Sequence, residues 1–203
     1  GTISIGSGEL KSSRFLTRLI TDFQKENPLV TFTIYSGNSD NIKERIERGL
    51  LDVGLLQEPV DIARYSFVRT PVREQWGILV REDSPLAVRS SVSPEDLAGV
   101  PLILPSRENV QNELLNWFGP FAEHLHITAT GNLLYNLASL ARDNGSCILT
   151  LNLDCTYEGL RFVPLSPEME SGTVLAWKKA QTFSPAASAF LEHARKSVSS
   201  GDE

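Results

Sequence analysis

Hydrophobic and polar residues alternate along the run 30–35 (VTFTIY), and its β-branched content predicts a strand. The stretch before it has a different period. Phe15, Leu16, Leu19, Ile20 and Phe23 fall on one helical face across residues 12–26. Asn27-Pro28 closes that helix, because proline disfavours helix in the residue before it. After the strand, Ile42, Ile46 and Leu50 share a second helical face, with Gly49 near its end, and 52–56 (DVGLL) reads as a short apolar strand. With residues 2–6 as a first strand, the order is β-α-β-α-β, which implies a parallel sheet with right-handed crossovers.

The rhythm returns further on. Strands are predicted at 101–104, 127–130 and 147–151, with helices at 108–118 and 132–145, the latter closed by Gly145. Between the two units lies a hydrophobic connection without helical period, containing the strand 76–80 and a short helix at 93–97. Ser93 can cap that helix, and Pro94 suits its first position. Residues 173–179 form a late strand. A last helix follows, again introduced by Ser-Pro, with Phe190, Leu191, Ala194 and Val198 inward and a tail, SSGDE, expected to fray. The fold class is therefore α/β with two Rossmann-like lobes. Ligands of open α/β sheets bind beyond the C-terminal ends of the strands, and two facing lobes would share one cleft.

Composition narrows the function. The chain has 203 residues and a formal net charge of −6, so it carries no basic footprint for nucleic acid. No apolar run reaches the ~18 residues of a membrane span, and the first residues lack a signal-peptide pattern. Two cysteines, Cys147 and Cys155, fit a reducing compartment, and a cytoplasmic location is expected.

Candidate chemistry is sparse. The loop Gly6–Lys11 (GSGELK) has Lys11 where the dinucleotide fingerprint needs a third glycine, and it matches neither the phosphate loop nor the nucleophile elbow. It reads as a tight strand-to-helix turn that exposes N–H groups and the hydroxyls of Ser12 and Ser13 to a cleft. His124, His126 and His193 lack the spacing of a metal site, so neither metal nor cofactor is expected. Lys43, Arg45 and Arg48 alternate with Glu44 and Glu47 on a solvated helix face. Asp52 reads as structural, at the start of a buried strand. No nucleophile or acid–base pair can be assembled, which argues against an enzyme.

The segments GLLDVGLL (49–56), WGILVREDSPLA (76–87), SPEDLAGVPLI (93–103) and FSPAASAFLEHAR (183–195), in that order, carry a resemblance. Together with the opening TISIG they identify the chain as similar to the C-terminal effector-binding domain of LysR-type transcriptional regulators, over nearly its whole length. The resemblance implies the type 2 periplasmic-binding-protein fold. Residues 1–72 and 178–203 would form lobe I and 73–177 lobe II, with crossover strands near 70–72 and 176–178. It also implies a winged helix-turn-helix and a linker helix, neither of which is in this chain. An antiparallel homodimer through the first helix and second strand is implied too, with higher oligomers of the full-length protein.

By position, the effector contacts implied are Ser7, Gly8, Glu9, Ser12, Ser13, Ser36, Gly37, Asn38 and Gln57 on one wall. Ser106, Arg107, Thr130 and Asn132 are implied on the other. Glu9 stands where it would repel an anion or bind an amine. Arg107 suits a planar carboxylate, or is a solvent-exposed helix-start residue. Asn38 and Ser39 either face the ligand or cap the second helix. Lobe closure on a small carboxylate or other anion would then be transmitted to DNA-binding modules. The alternative is a free solute-binding protein of a transport system, which shares the fold.

Overall fold

A computed structural model describes residues 1–199; of the tail expected to fray, 199–203, Ser199 closes the last helix and the rest lies outside the described residues. In chain order the elements are β1 (Thr2–Ser7), α1 (Ser13–Glu26), β2 (Thr31–Ser36), α2 (Ser39–Glu47), β3 (Val53–Gln57), β4 (Tyr65–Arg69) and β5 (Glu74–Arg81). Then come α3 (Pro94–Leu97), β6 (Pro101–Pro105), α4 (Glu108–Phe118), β7 (His126–Gly131), α5 (Leu134–Asn144), β8 (Cys147–Leu151), β9 (Leu160–Pro164), β10 (Glu170–Ser171), β11 (Thr173–Lys178) and α6 (Pro185–Ser199). The chain divides into two compact units, residues 1–73 with 172–203 and residues 74–171.

The first unit holds a five-stranded sheet in the order β2-β1-β3-β11-β4. Strands β1, β2 and β3 are parallel, while β11 runs antiparallel to both β3 and β4. Helix α2 buries Ile42 and Ile46 against Leu51, Leu56, Tyr65, Val174 and Ala176. Its seat is made by two glycines paired in register, Gly6 and Gly54, since a methyl on either would lie 2.6 Å from Ile42 Cγ2. Elsewhere in this unit, α1 meets α6 through an edge-to-face pair of Phe23 and Phe190, 5.4 Å between ring centres. Asn27 ends α1 as predicted, its side chain donating to the Phe23 carbonyl.

The second unit holds a six-stranded sheet, β10-β5-β8-β6-β7, with β9 also on β5. Its parallel core, β8-β6-β7, comes from the β-α repeat, and β5 closes it antiparallel. Leu134, Ala138 and Ala141 of α5 pack on Leu79, Ile103, Ile148 and Leu160. Gly145 ends α5 in the left-handed region at φ 75°, where glycine has no side-chain penalty. Ser93 and Asp96 form a reciprocal capping box on α3.

Two differences from the sequence expectation matter. The second boundary between units falls at Ser171/Gly172, not at 177/178. The reason is that all of β11 hydrogen-bonds into the first sheet, between β3 and β4, so residues 173–177 cannot belong to the other unit. The first boundary, at Arg73/Glu74, lies one residue from the expected place. The short strands β4 and β9 are not anticipated, because in β4 apolar Phe67 is exposed while polar Ser66 is half-buried, and in β9 burial does not alternate.

Candidate functional site

In the first unit the three parallel strands end on one rim, at Ser7, Ser36 and Gln57. The rim is knitted by short bonds. The Gly37 N–H donates to the Ser7 carbonyl at 3.3 Å. The hydroxyls of Ser7 and Ser13 both donate to the Gly8 carbonyl, at 2.9 and 3.3 Å. Ser39 is buried, accepting from the Gln57 N–H at 2.9 Å and donating to the Gln57 carbonyl at 3.1 Å. Asn38 caps α2: its side chain accepts from the Asn41 N–H, and its own N–H donates to the Asn41 side chain, each at 2.9 Å. Asn38 thus caps α2.

Ser12 is fully buried, while Glu9 and Ser36 are exposed. Thr173 lies opposite Gln57 in the β11–β3 register and bonds by its hydroxyl to that of Thr70, adding two buried threonines to this rim. The sequence reasoning missed both, because it read β11 as leaving the unit.

In the second unit the parallel strands β6, β7 and β8 likewise end together, at Pro105, Gly131 and Leu151. Pro105 stands beside Gly131, and the Ser106 N–H donates to the Gly131 carbonyl at 2.9 Å. Arg107 occupies the position before α4, and its carbonyl accepts from the Gln111 N–H at 2.9 Å. The Gln111 side chain turns back to the Pro105 carbonyl at 2.7 Å, fixing the turn.

Arg107 is only 4% exposed, which removes the solvent-facing alternative. A buried guanidinium must keep its donors bonded, and it presents a planar fork suited to carboxylates. Thr130 and Asn132 are exposed. Asn152 follows β8 on the same rim and donates its N–H to the Gln75 carbonyl at 2.8 Å. Applying the strand-end rule to β8 as well as to β6 and β7 would have found it.

The remaining sequence candidates sort plainly. Asp52 is structural, its carboxylate accepting from the Ser4 N–H at 2.9 Å while its N–H donates to the Ser4 carbonyl at 2.8 Å. His124 and His126 are exposed, and among the described residues no group of three or more His, Cys, Asp or Glu could hold a metal ion. Cys147 is buried at the start of β8, and burial pushes its thiol up to about 11; Cys155 is exposed beyond the other end of the strand. No helix among the described residues is long and apolar enough to cross a membrane.

The family model described as the LysR substrate binding domain matches residues 1–199. The chain belongs to that family. It is a ligand-sensing regulatory domain of the LysR type, a reading favoured over a free transport protein. Among similar proteins is an uncharacterised HTH-type transcriptional regulator, YvbU of Bacillus subtilis, 25% identical over 203 residues. The alignment takes in 97% of this chain and 67% of that protein, so the LysR domain here spans about two thirds of that relative.

Two solved structures share its fold. The effector-binding domain of QuiR, in complex with shikimate, superposes with a TM-score of 0.81 at 19% identity, covering 98% of each chain. The regulatory domain of Synechocystis CcmR, in complex with 2-PG, gives 0.78 at 13% identity, covering 98% of this chain and 97% of that one.

Proposed function

We propose that this LysR domain senses a small organic carboxylate or similar anion, and that the effector-contacting residues lie on the strand-end rims described for each unit. The observation that carries the proposal is Arg107, a buried guanidinium at the end of β6 and the start of α4. Beside it, Ser106, Thr130 and Asn132 offer hydroxyl and amide groups. On the first unit, exposed Ser36 and half-buried Gln57 offer side-chain groups, and the start of α2 adds the positive end of a helix; Ser7, Ser13, Gly37 and Asn38 shape the rim through their own bonds, and Ser12 is buried. Exposed Glu9 would keep bulky anions off that loop or take an amine of the effector. The role is binding, not catalysis, in keeping with a family of transcriptional regulators.

In the whole protein, a DNA-binding part would be switched by this domain in the cytoplasm, through a homodimer formed by α1 and β2. Support for the dimer comes from the edge position of β2 and from the exposed apolar side chains Leu29 and Ile34 there.

A thermal-shift screen against small carboxylates, shikimate among them, tests the reading. A ligand at about 100 times its Kd stabilises by ~2.7 kcal/mol, or roughly 5–10 °C for a chain of this size. We expect such a shift for at least one carboxylate and its loss in Arg107→Ala. A shift retained in Arg107→Ala overturns the assignment of Arg107. No shift across the panel overturns the ligand class.

A further inference from the structure

Glu58 follows Gln57 at the end of β3, so an effector contact at Gln57 is one peptide bond away from it. Its N–H donates to the Gly172 carbonyl at 2.9 Å, and its carboxylate accepts from the Arg69 guanidinium. A methyl group on Gly172 would lie 2.7 Å from Glu58 Oε1, 2.9 Å from Arg73 Nη1 and 3.3 Å from Arg69 Nη1. One carboxylate and two guanidiniums therefore converge over the α-carbon of Gly172. Arg73 and Gly172 are the residues at which the chain leaves and re-enters the first unit, and every side chain in the cluster belongs to that unit.

The flanking backbone is laced. Inside the first unit, the Thr70 N–H donates to the Thr173 carbonyl at 3.0 Å. Inside the second, the Trp76 indole donates to the Ser171 hydroxyl at 2.8 Å, and Ser171 pairs with Glu74. Gly172 is the peptide left between these ties.

We infer that this cluster couples the effector loop to the crossover. Ser39 and Gln57 position Glu58, and Glu58, with Arg69 and Arg73, sets the backbone at Gly172. The inference rests on the proposed effector role of Gln57. With the Arg69 and Glu58 side chains 53% and 32% exposed, the ion pair contributes little to stability, so its value is positional. Only a residue without a Cβ leaves room for the three charged groups.

Amide-resolved hydrogen exchange on the 203-residue chain tests this without ligand, comparing wild type with Ser39→Ala, Glu58→Gln and Gly172→Ala. The added methyl of Gly172→Ala meets only the flexible ends of charged side chains, so this variant folds. We expect exchange at Glu58 and at Thr70 to rise about three- to fivefold in each, the scale of losing one half-exposed ion pair, with the amides of β1 unchanged. Adding Ser39→Ala to Glu58→Gln raises Thr70 no further, because both act through one unit.

An unchanged Thr70 amide in Ser39→Ala or Glu58→Gln, or additive effects in the double variant, overturns the coupling. An equal rise across β1 also overturns it, since that is loss of global stability. Failure here leaves the effector reading standing; failure of the carboxylate screen leaves the exchange coupling between Glu58 and Gly172 standing but removes its link to an effector.

Discussion

Arg107 shows what a single position can and cannot reveal. Its letter and its place before a helix were legible, but its burial was not, because most arginines at helix starts face water. Burial depends on the tertiary surroundings of the start of α4, which have no local sequence signature. Asn38 is the opposite case: the Asx position and Asn41 three residues later form a cap that sequence chemistry could anticipate. If Arg107 grips a carboxylate with its planar fork, Arg107→Lys should weaken binding by about tenfold or more despite the kept charge, as titration calorimetry would show.

The cysteines give a second residue-scale prediction. With its thiol pushed up to about 11 by burial, Cys147 should resist iodoacetamide at pH 7.5 in the native protein, while exposed Cys155 reacts. Peptide mass spectrometry would show Cys147 modified only after unfolding. Early labelling of Cys147 would mean that β8 opens locally.

At the scale of elements, one-sided apolar periodicity located the helices and continuous apolar runs located the strands buried on both faces, with most ends within a residue or two; the second helix, expected to include Leu50, ends at Glu47. Periodicity could not find β4, where burial is out of step with polarity at Ser66 and Phe67, or β9, where burial does not alternate. The seating of α2 was legible only as two unremarked glycines. Gly54→Ala should cost ~1–3 kcal/mol by overpacking on Ile42, and Ile42→Ala should relieve part of that cost in the double variant. Urea melts would measure both.

The cap of α3 predicts a pH effect. The Ser93 N–H holds the Asp96 carboxyl below its ordinary 3.8, burial works against it, and the Ser93 hydroxyl and Arg89 add to the lowering. A carboxyl lowered by folding stabilises the native state above its unfolded pKa, and that share is lost as pH falls through the folded value. Ser93→Ala should therefore cost ~1 kcal/mol at pH 7. The stability gap between wild type and Asp96→Asn should narrow as pH is lowered below about 4. A gap that stays constant with pH would mean that the carboxylate charge contributes nothing there.

For the whole molecule, the two β-α repeats made the two units legible, and the ordered segments made the family legible. The exact place where the chain passes between units was not, because an antiparallel strand that inserts into a parallel sheet looks locally like any other apolar run. The proposed dimer is tested at this scale. Ile34→Glu should shift the protein from dimer to monomer in light scattering, with little change in melting temperature, because Ile34 is 55% exposed on its edge strand.

The interleaved order of the chain also bears on how the protein is made. Residues 74–171 are contiguous, so that unit has every strand it needs once Ser171 has left the ribosome. The first unit, although begun earlier, waits for β11, which sits between β3 and β4 in its sheet. Synthesis from the N-terminus thus produces the later-encoded half first in finished form, while β1 to β4 stay exposed as an unclosed sheet. Truncation between Ser171 and Lys178 would leave a folded second half attached to an aggregation-prone first one, a state that quality-control proteases could recognise.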